Sequence, residues 1–522
     1  MMKVDRLVPK AMAWASPNAL GTARSTLLET QSLPSLLPCY SHSFTFYVAR
    51  PRVPSSIPGF LIYFLHGFLS SVVKDSLMRR VFYVLVVCGF LISSGRARAG
   101  DAMNTVAERY AHLVLALGQH DADYVDAFYG PAEWKTQAEE QKKSLDAIGA
   151  EAAKLSVTLT ETPIAPGTAD SDLRQLRREY LRKQLSALAA RVRMLKGKKL
   201  NFDDESRALY DAVAPTYRQA GSDPDSHFEE IIKQLEKKIP GTNRQSGSDP
   251  LWARYENWRK PFVVPKEKLD AVFQAAIKEC RARTLAHITL PPDESFTVEY
   301  VTNKPWGGYN WYKGDFHSVI QVNTDLPIYI DRAVDLAAHE GYPGHHVYNS
   351  LLEKNMVRDR DWMEFSVYAL FSPQSLVAEG TANFGRDVAF PSRAERIKFE
   401  KEVLFPAAGI DASRADEYYA VQDLMKQLDY AANEAARRLI NGEIDENAAV
   451  QWLQKYAVME PARAQQRVKF IGRYRSYVIN YNLGEEMVRR YIEKRSGTDP
   501  EKRWTEFGKL LSSPRLPSGL ME

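Results

Sequence analysis

From Arg332 to Lys494 the sequence is patterned for helices, broken near Gly341–Gly344, Pro373 and Pro406. The first break matters most. It falls inside His339-Glu340-Gly341-Tyr342-Pro343-Gly344-His345-His346, directly after an apolar helical run with Val334, Leu336 and Ala337. Proline at 343 has no N–H and would collide with the carbonyl of residue 339, so the helix that carries His339 cannot run on undisturbed. In a regular helix a six-residue step would leave His345 roughly 120° off the face of His339. Pro343-Gly344 offers a place for the chain to kink or widen and bring a second histidine back to the first.

Such a return would serve a metal. Zinc takes imidazole and carboxylate ligands and, in hydrolases, keeps one position open for water. It lowers the pKa of that water, and a neighbouring carboxylate collects the proton. The usual sequence solution sets two histidines four apart on a helix, with glutamate after the first. His339-Glu340 is the first half of that arrangement. The second half departs from it, and the spacing leaves the partner open between His345 and His346. Three of the ten histidines lie in this segment; His112, His120, His227, His287 and His317 are isolated and read as ordinary. A third ligand is expected from Glu379, in Val377-Ala378-Glu379-Gly380-Thr381-Ala382-Asn383, on a later helix beyond Pro373. Its small neighbours argue for a closely packed face. Asn383 lies one turn on, where it can steady a ligand by a hydrogen bond.

His-Glu-x-x-Pro-Gly-His-His, followed on a later helix by Glu-Gly-x-Ala, resembles the bacterial family of domain of unknown function 885 (DUF885). That family is grouped with the gluzincin-type metallopeptidases and is distantly similar to the carboxypeptidase Taq enzymes. The resemblance implies a mainly α, multi-helix gluzincin-like metallopeptidase fold with a small β-sheet and a central cleft. It also implies a bound Zn2+ and hydrolysis of peptide bonds. Carried over by position, His339, His345 and Glu379 would be the metal ligands and Glu340 the general base. Gly344 directly before His345 favours that histidine, which leaves His346 as a hydrogen-bond donor or a supporting group. Thr381 and Arg386 depart from the family's pattern. The resemblance further implies that His317–Asn323 is either an edge strand against which an extended substrate could pair or equally a buried structural strand, and Trp306–Tyr312 reads as a cleft wall or as simple loop packing. Arg473–Tyr481 is similar to a late tyrosine-containing segment of the family. There Tyr477, and after it Arg475, are the groups expected to support an oxyanion, and an arginine could also grip a substrate carboxylate.

The rest of the chain sets the frame. Met78-Arg79-Arg80, the apolar run Val81–Ile92 and Ala97-Arg98-Ala99 read as a signal peptide over 78–99, with residues 1–77 an upstream extension. The mature part divides softly near residue 290, into an N-terminal helical part (100–290) and a catalytic helical part (291–522). Expected elements are helices in 102–198, notably Leu173–Leu195 with a solvated Arg/Lys face, and over Pro265–Ile288. An aromatic loop is expected at Tyr124–Trp134 and strands at Phe296–Val301 and Val319–Val322.

The formal charge is +4, but the first 99 residues hold 11 of the 69 Lys/Arg and 3 of the 65 Asp/Glu. The remainder is therefore slightly acidic, which gives a nucleic-acid partner no electrostatic support. Of three cysteines only Cys280 lies in the mature part, so no internal disulfide is expected there. No Gly-x-Ser-x-Gly or phosphate-binding glycine loop occurs. The sequence therefore predicts an exported zinc peptidase acting on short peptides, a carboxypeptidase or oligopeptidase, with no stable membrane span in the mature chain. Two rivals share its site: a zinc amidase with a non-peptide substrate, and a catalytically silent metal-binding interaction protein. Oligomeric state is not legible in it.

Overall fold

The helical periods read from the sequence are realised closely. A computed structural model describes residues 102–164, 170–216, 226–239, 241, 249–304 and 306–521. The extension at 1–77, the signal peptide at 78–99 with Cys39 and Cys88, Gly221–Pro224 and most of Pro240–Pro250 lie outside the described residues. Helix α1 (102–118) buries Val106, Tyr110, Leu113, Val114 and Leu117, the expected stripe. Helix α2 (Ser171–Leu195) buries Tyr180, Leu181, Leu185 and Leu188 and leaves Arg174 and Arg182 exposed. Arg177 breaks the expected solvated face. It is buried, with two hydrogen bonds of 2.6 and 2.9 Å to Glu364.

The fold is mainly α with two small sheets. Strand β1 (Val125–Phe128) pairs antiparallel with β5 (Val367–Ala369). Strands β2 (Ser295–Val301), β3 (Gly308–Gly314) and β4 (His317–Asn323) form the second sheet in the order β2-β4-β3. β2 runs parallel to β4 with Ser295 opposite His317, and β3 runs antiparallel with Gly308 opposite Val322. This corrects the edge-strand expectation for His317–Asn323, which is the central strand and is paired on both sides. The edge strands are β2 and β3, the latter read from the sequence as a loop wall. Its alternation is real, with Asn310, Tyr312 and Gly314 buried and Trp311 and Lys313 exposed, but aromatics on both faces and flanking glycines hide it. β1 likewise lies in the expected aromatic loop, four residues long with a register shift.

Helix α3 (Arg332–Leu336) continues through a wider turn, Ala337–Gly341, before helix α4 (His345–Leu352). Helix α5 (Pro373–Ala389) starts at the expected proline, whose missing N–H costs nothing in a first turn. Helices α6 (Pro461–Tyr474) and α7 (Ile479–Ser496) follow. α5 and α7 touch backbone to backbone. A Cβ on Gly380 would lie 2.4 Å from the Gly484 carbonyl oxygen, and one on Gly484 would lie 2.6 Å from that of Leu376. That approach sets Glu379 and Asn383 against the Tyr477–Tyr481 segment. Arg386 accommodates its departure from the family pattern by joining α5 to α3 through Asp335, at 2.7 Å.

The sheet is tied to α4 by Glu353, which accepts from the Tyr312 phenol at 2.6 Å and from the Asp315 N–H at 3.1 Å. One large apolar core runs from Met103 to Leu520 and takes side chains from both sides of position 290. A smaller one gathers Phe228, Leu235, Val421 and Leu453. Cys280 is a buried free thiol, pushed up to about 12 by burial and hence no nucleophile. Among the described residues no helix is long and apolar enough to cross a membrane.

Candidate metal centre

The interruption at Pro343-Gly344 is resolved by a widened turn and a tight return. The Tyr342 N–H reaches the Ala337 carbonyl at 3.0 Å and the Gly344 N–H reaches Ala338 at 2.9 Å, so the last turn of α3 takes in extra residues. The Tyr342–Pro343 bond is cis. The chain then doubles back so closely that a Cβ on Gly344 would stand 2.0 Å from the His339 carbonyl oxygen. Only glycine fits there. His345, the first residue of α4, is thereby returned to His339, and their Nε2 atoms are 3.1 Å apart.

Glu379 completes a triangle. Its Oε2 lies 3.3 Å from His339 Nε2 and 3.7 Å from His345 Nε2. Among the described residues these three are the one group of histidine, cysteine and acidic side chains whose donor atoms could hold a metal ion. Glu379 Oε2 is buried, and its polar neighbours among the described residues are these two imidazoles, with no further hydrogen-bond donor. Ligand atoms about 2.0–2.1 Å from a tetrahedral ion stand roughly 3.3 Å from one another, so the three edges fit an ion such as zinc with a fourth position open.

The supporting groups fix each donor. Asn383 Nδ2 donates to the Tyr481 carbonyl at 2.9 Å, which turns its Oδ1 towards His339 Nδ1, 2.8 Å away. With a metal bound, His339 would therefore keep its proton on Nδ1 and present the Nε2 lone pair to the centre. Tyr477 donates its phenol proton to Glu379 Oε1 at 2.7 Å, so the expected oxyanion group is found orienting the carboxylate. Arg475, the second expected group, gives its guanidinium to the buried Glu205 at 2.7 Å. His346 turns the other way, fully buried between Ser318 Oγ at 2.9 Å and Glu294 Oε2 at 3.0 Å. The structure thus brings His345, and not His346, to His339 and Glu379.

Glu340 is buried against β3. A Cβ on Gly308 would fall 2.7 Å from its Oε1, and the Asn310 side chain donates to its backbone carbonyl at 2.7 Å. Burial raises its carboxyl pKa against the pull of His339 and His345, which suits a group that must accept and return a proton. Sequence reasoning missed Asp126 of β1. Burial pushes this carboxyl up to about 6, the Tyr309 phenol donates to it, and it feels His345, Glu379 and Glu340. One aspartate inside a four-residue strand carries no signal that could have marked it.

Protons and metal compete here. Burial disfavours charge on His339, yet Glu379 and Glu340 outweigh it and lift the pKa to about 9. Burial also works against ionised Glu379, but the two histidines hold that carboxyl well below the usual range. A metal must displace the His339 proton, so affinity should fall as pH drops below about 9. Near pH 7 zinc uptake should release about one proton from this group. Calorimetric titrations in buffers of different ionisation heat measure that release; an apparent enthalpy independent of buffer would contradict it.

No protein-family model matches the chain. No curated protein matches it either. Solved structures similar to it include the following three. A protein described as a lipoprotein, from Colwellia psychrerythraea, is 13% identical over 80% of this chain and 74% of its own, with a TM-score of 0.45. One described as a lipoprotein of unknown function, from Shewanella oneidensis, is 12% identical over 75% and 78%, with a TM-score of 0.39. An M32 carboxypeptidase from Deinococcus radiodurans is 13% identical over 80% and 89%, with a TM-score of 0.33.

Proposed function

We propose that the protein is an exported zinc peptidase that hydrolyses short peptides. One observation carries the reading: the buried Oε2 of Glu379 converges with two histidine Nε2 atoms at 3.3 and 3.7 Å, with the buried Glu340 beside them. The motif resemblance to the DUF885 family supports it, and export rests on the signal peptide read at 78–99. His339, His345 and Glu379 hold the zinc. Bound there, the ion supplies Lewis acidity, polarising a scissile carbonyl and easing water ionisation near neutral pH. Glu340 takes the proton of the attacking water and returns it to the leaving amine. Asn383 and Tyr477 keep the ligands in their tautomer and orientation. An extended substrate pairs with β3, the edge strand against Glu340, rather than with the enclosed β4.

A panel of short peptides and non-peptide amides, incubated with the zinc-loaded protein and followed by mass spectrometry, tests this. Peptides should be cut, and chelation should stop the cutting. Turnover of amides alone, or of nothing, would overturn the reading.

A further inference from the structure

Most arginines around the site are spoken for. Arg332 bonds Asp335, Arg386 bonds Asp335 and Asp387, Arg473 bonds Asp123, and Arg475 bonds Glu205. Arg467, in the middle of α6, differs. It is partly buried, and among the described residues it has no hydrogen-bond or ion-pair partner. Its guanidinium lies near the Phe470 ring, 5.4 Å from the centroid. Burial lowers its pKa, and the charges that act on it are those of Tyr481, Asp429 and Arg332. A native protein seldom keeps a partly desolvated guanidinium without an anion.

Its position relates it to the metal centre through one residue. Tyr481 feels the charges of Glu379, Arg467 and Glu340. Its backbone carbonyl takes the Asn383 hydrogen bond that fixes His339, and its ring lies 6.4 Å from that of Phe470. Arg332 adds a second positive charge felt by both Glu340 and Arg467. Arg332 is held by Asp335, and Asp429 acts on Arg467 only at longer range, so the Arg467 guanidinium, beside the Phe470 ring that in turn neighbours Tyr481, is engaged by no hydrogen bond or ion pair among the described residues.

We infer that Arg467, backed by Arg332, receives a carboxylate of the substrate, the free C-terminal carboxylate of a short peptide. The inference rests on the peptidase reading and gives it a direction: a substrate anchored there by its C-terminus presents one of its last peptide bonds to Glu340 and the metal. A guanidinium suits the task because its paired N–H donors match both oxygens of a carboxylate. Arg475 was the residue expected to do this, and Glu205 occupies it.

Steady-state kinetics on one peptide in two forms, free acid and C-terminal amide, test the assignment in the wild-type protein and in Arg467→Ala. A hydrogen bond to a charged group contributes enough to separate KM values by about 10- to 100-fold. The wild type should therefore show a KM lower by that factor for the acid. Arg467→Ala should raise the acid to the level of the amide and leave the amide unchanged, which also reports that the variant folds. Arg467→Lys should recover part of the loss. An amidated peptide ending in glutamate separates the two carboxylate sources: weak binding supports the C-terminal carboxylate, and tight binding lost in Arg467→Ala overturns that choice. Equal KM for acid and amide in the wild type overturns the inference while leaving the peptidase reading standing. Failure to cut either form overturns both.

Discussion

Glu340→Gln is expected to lower peptide turnover about 10²- to 10⁴-fold, the usual worth of a positioned general acid–base group, while zinc content stays at the wild-type level. Glutamine keeps the shape of the side chain packed against Gly308 and the backbone bond from Asn310, so neither the widened turn nor the histidines need move. What it loses is the ability to take a proton. Glu340 is not one of the three converging donors, so its charge is not needed to hold the ion. Turnover assays beside metal analysis of the same samples check both halves. Wild-type turnover in the variant would exclude Glu340 as the base.

Much of the candidate metal centre was legible because its signals are local. His339-Glu340 closes an apolar helical run, Pro343-Gly344 marks where that helix must deform, and the small residues around Glu379 foretell the backbone contact between Gly380 and Gly484. Asn383 was legible through helix geometry alone, since a residue one turn on shares a face with its ligand. The choice between His345 and His346 was not, because it depends on how far the chain doubles back over the His339 carbonyl. Glu294 and Ser318, which claim His346, lie far away in sequence.

The sheet was misread for a related reason. β4 carries the clearest alternation, and an edge was one of the two places expected for it, yet alternation says which face is buried and nothing about which neighbours a strand has. β3, with aromatics on both faces, conceals its own pattern. Partner choice hid the rest. Tyr477 and Arg475 were expected at an oxyanion, but only the fold pairs the first with Glu379 and the second with Glu205. Arg467 looks like any arginine on an amphipathic helix until its lack of an anion is seen.

The second large effect concerns the ligands. His339→Ala removes one of three donors and leaves Glu379 Oε2 buried beside a single imidazole. Loss of a supporting group costs metalloproteins roughly 10- to 100-fold in metal affinity, and loss of a ligand should cost more. The same holds for His345→Ala, whereas the Glu340→Gln protein should load normally. The direct measurement is elemental mass spectrometry of purified protein after zinc loading and exhaustive dialysis. The account predicts about one zinc per wild-type chain and almost none in His339→Ala or His345→Ala. A wild-type chain that retains no metal, or a His345→Ala chain that retains as much as the wild type, would contradict it.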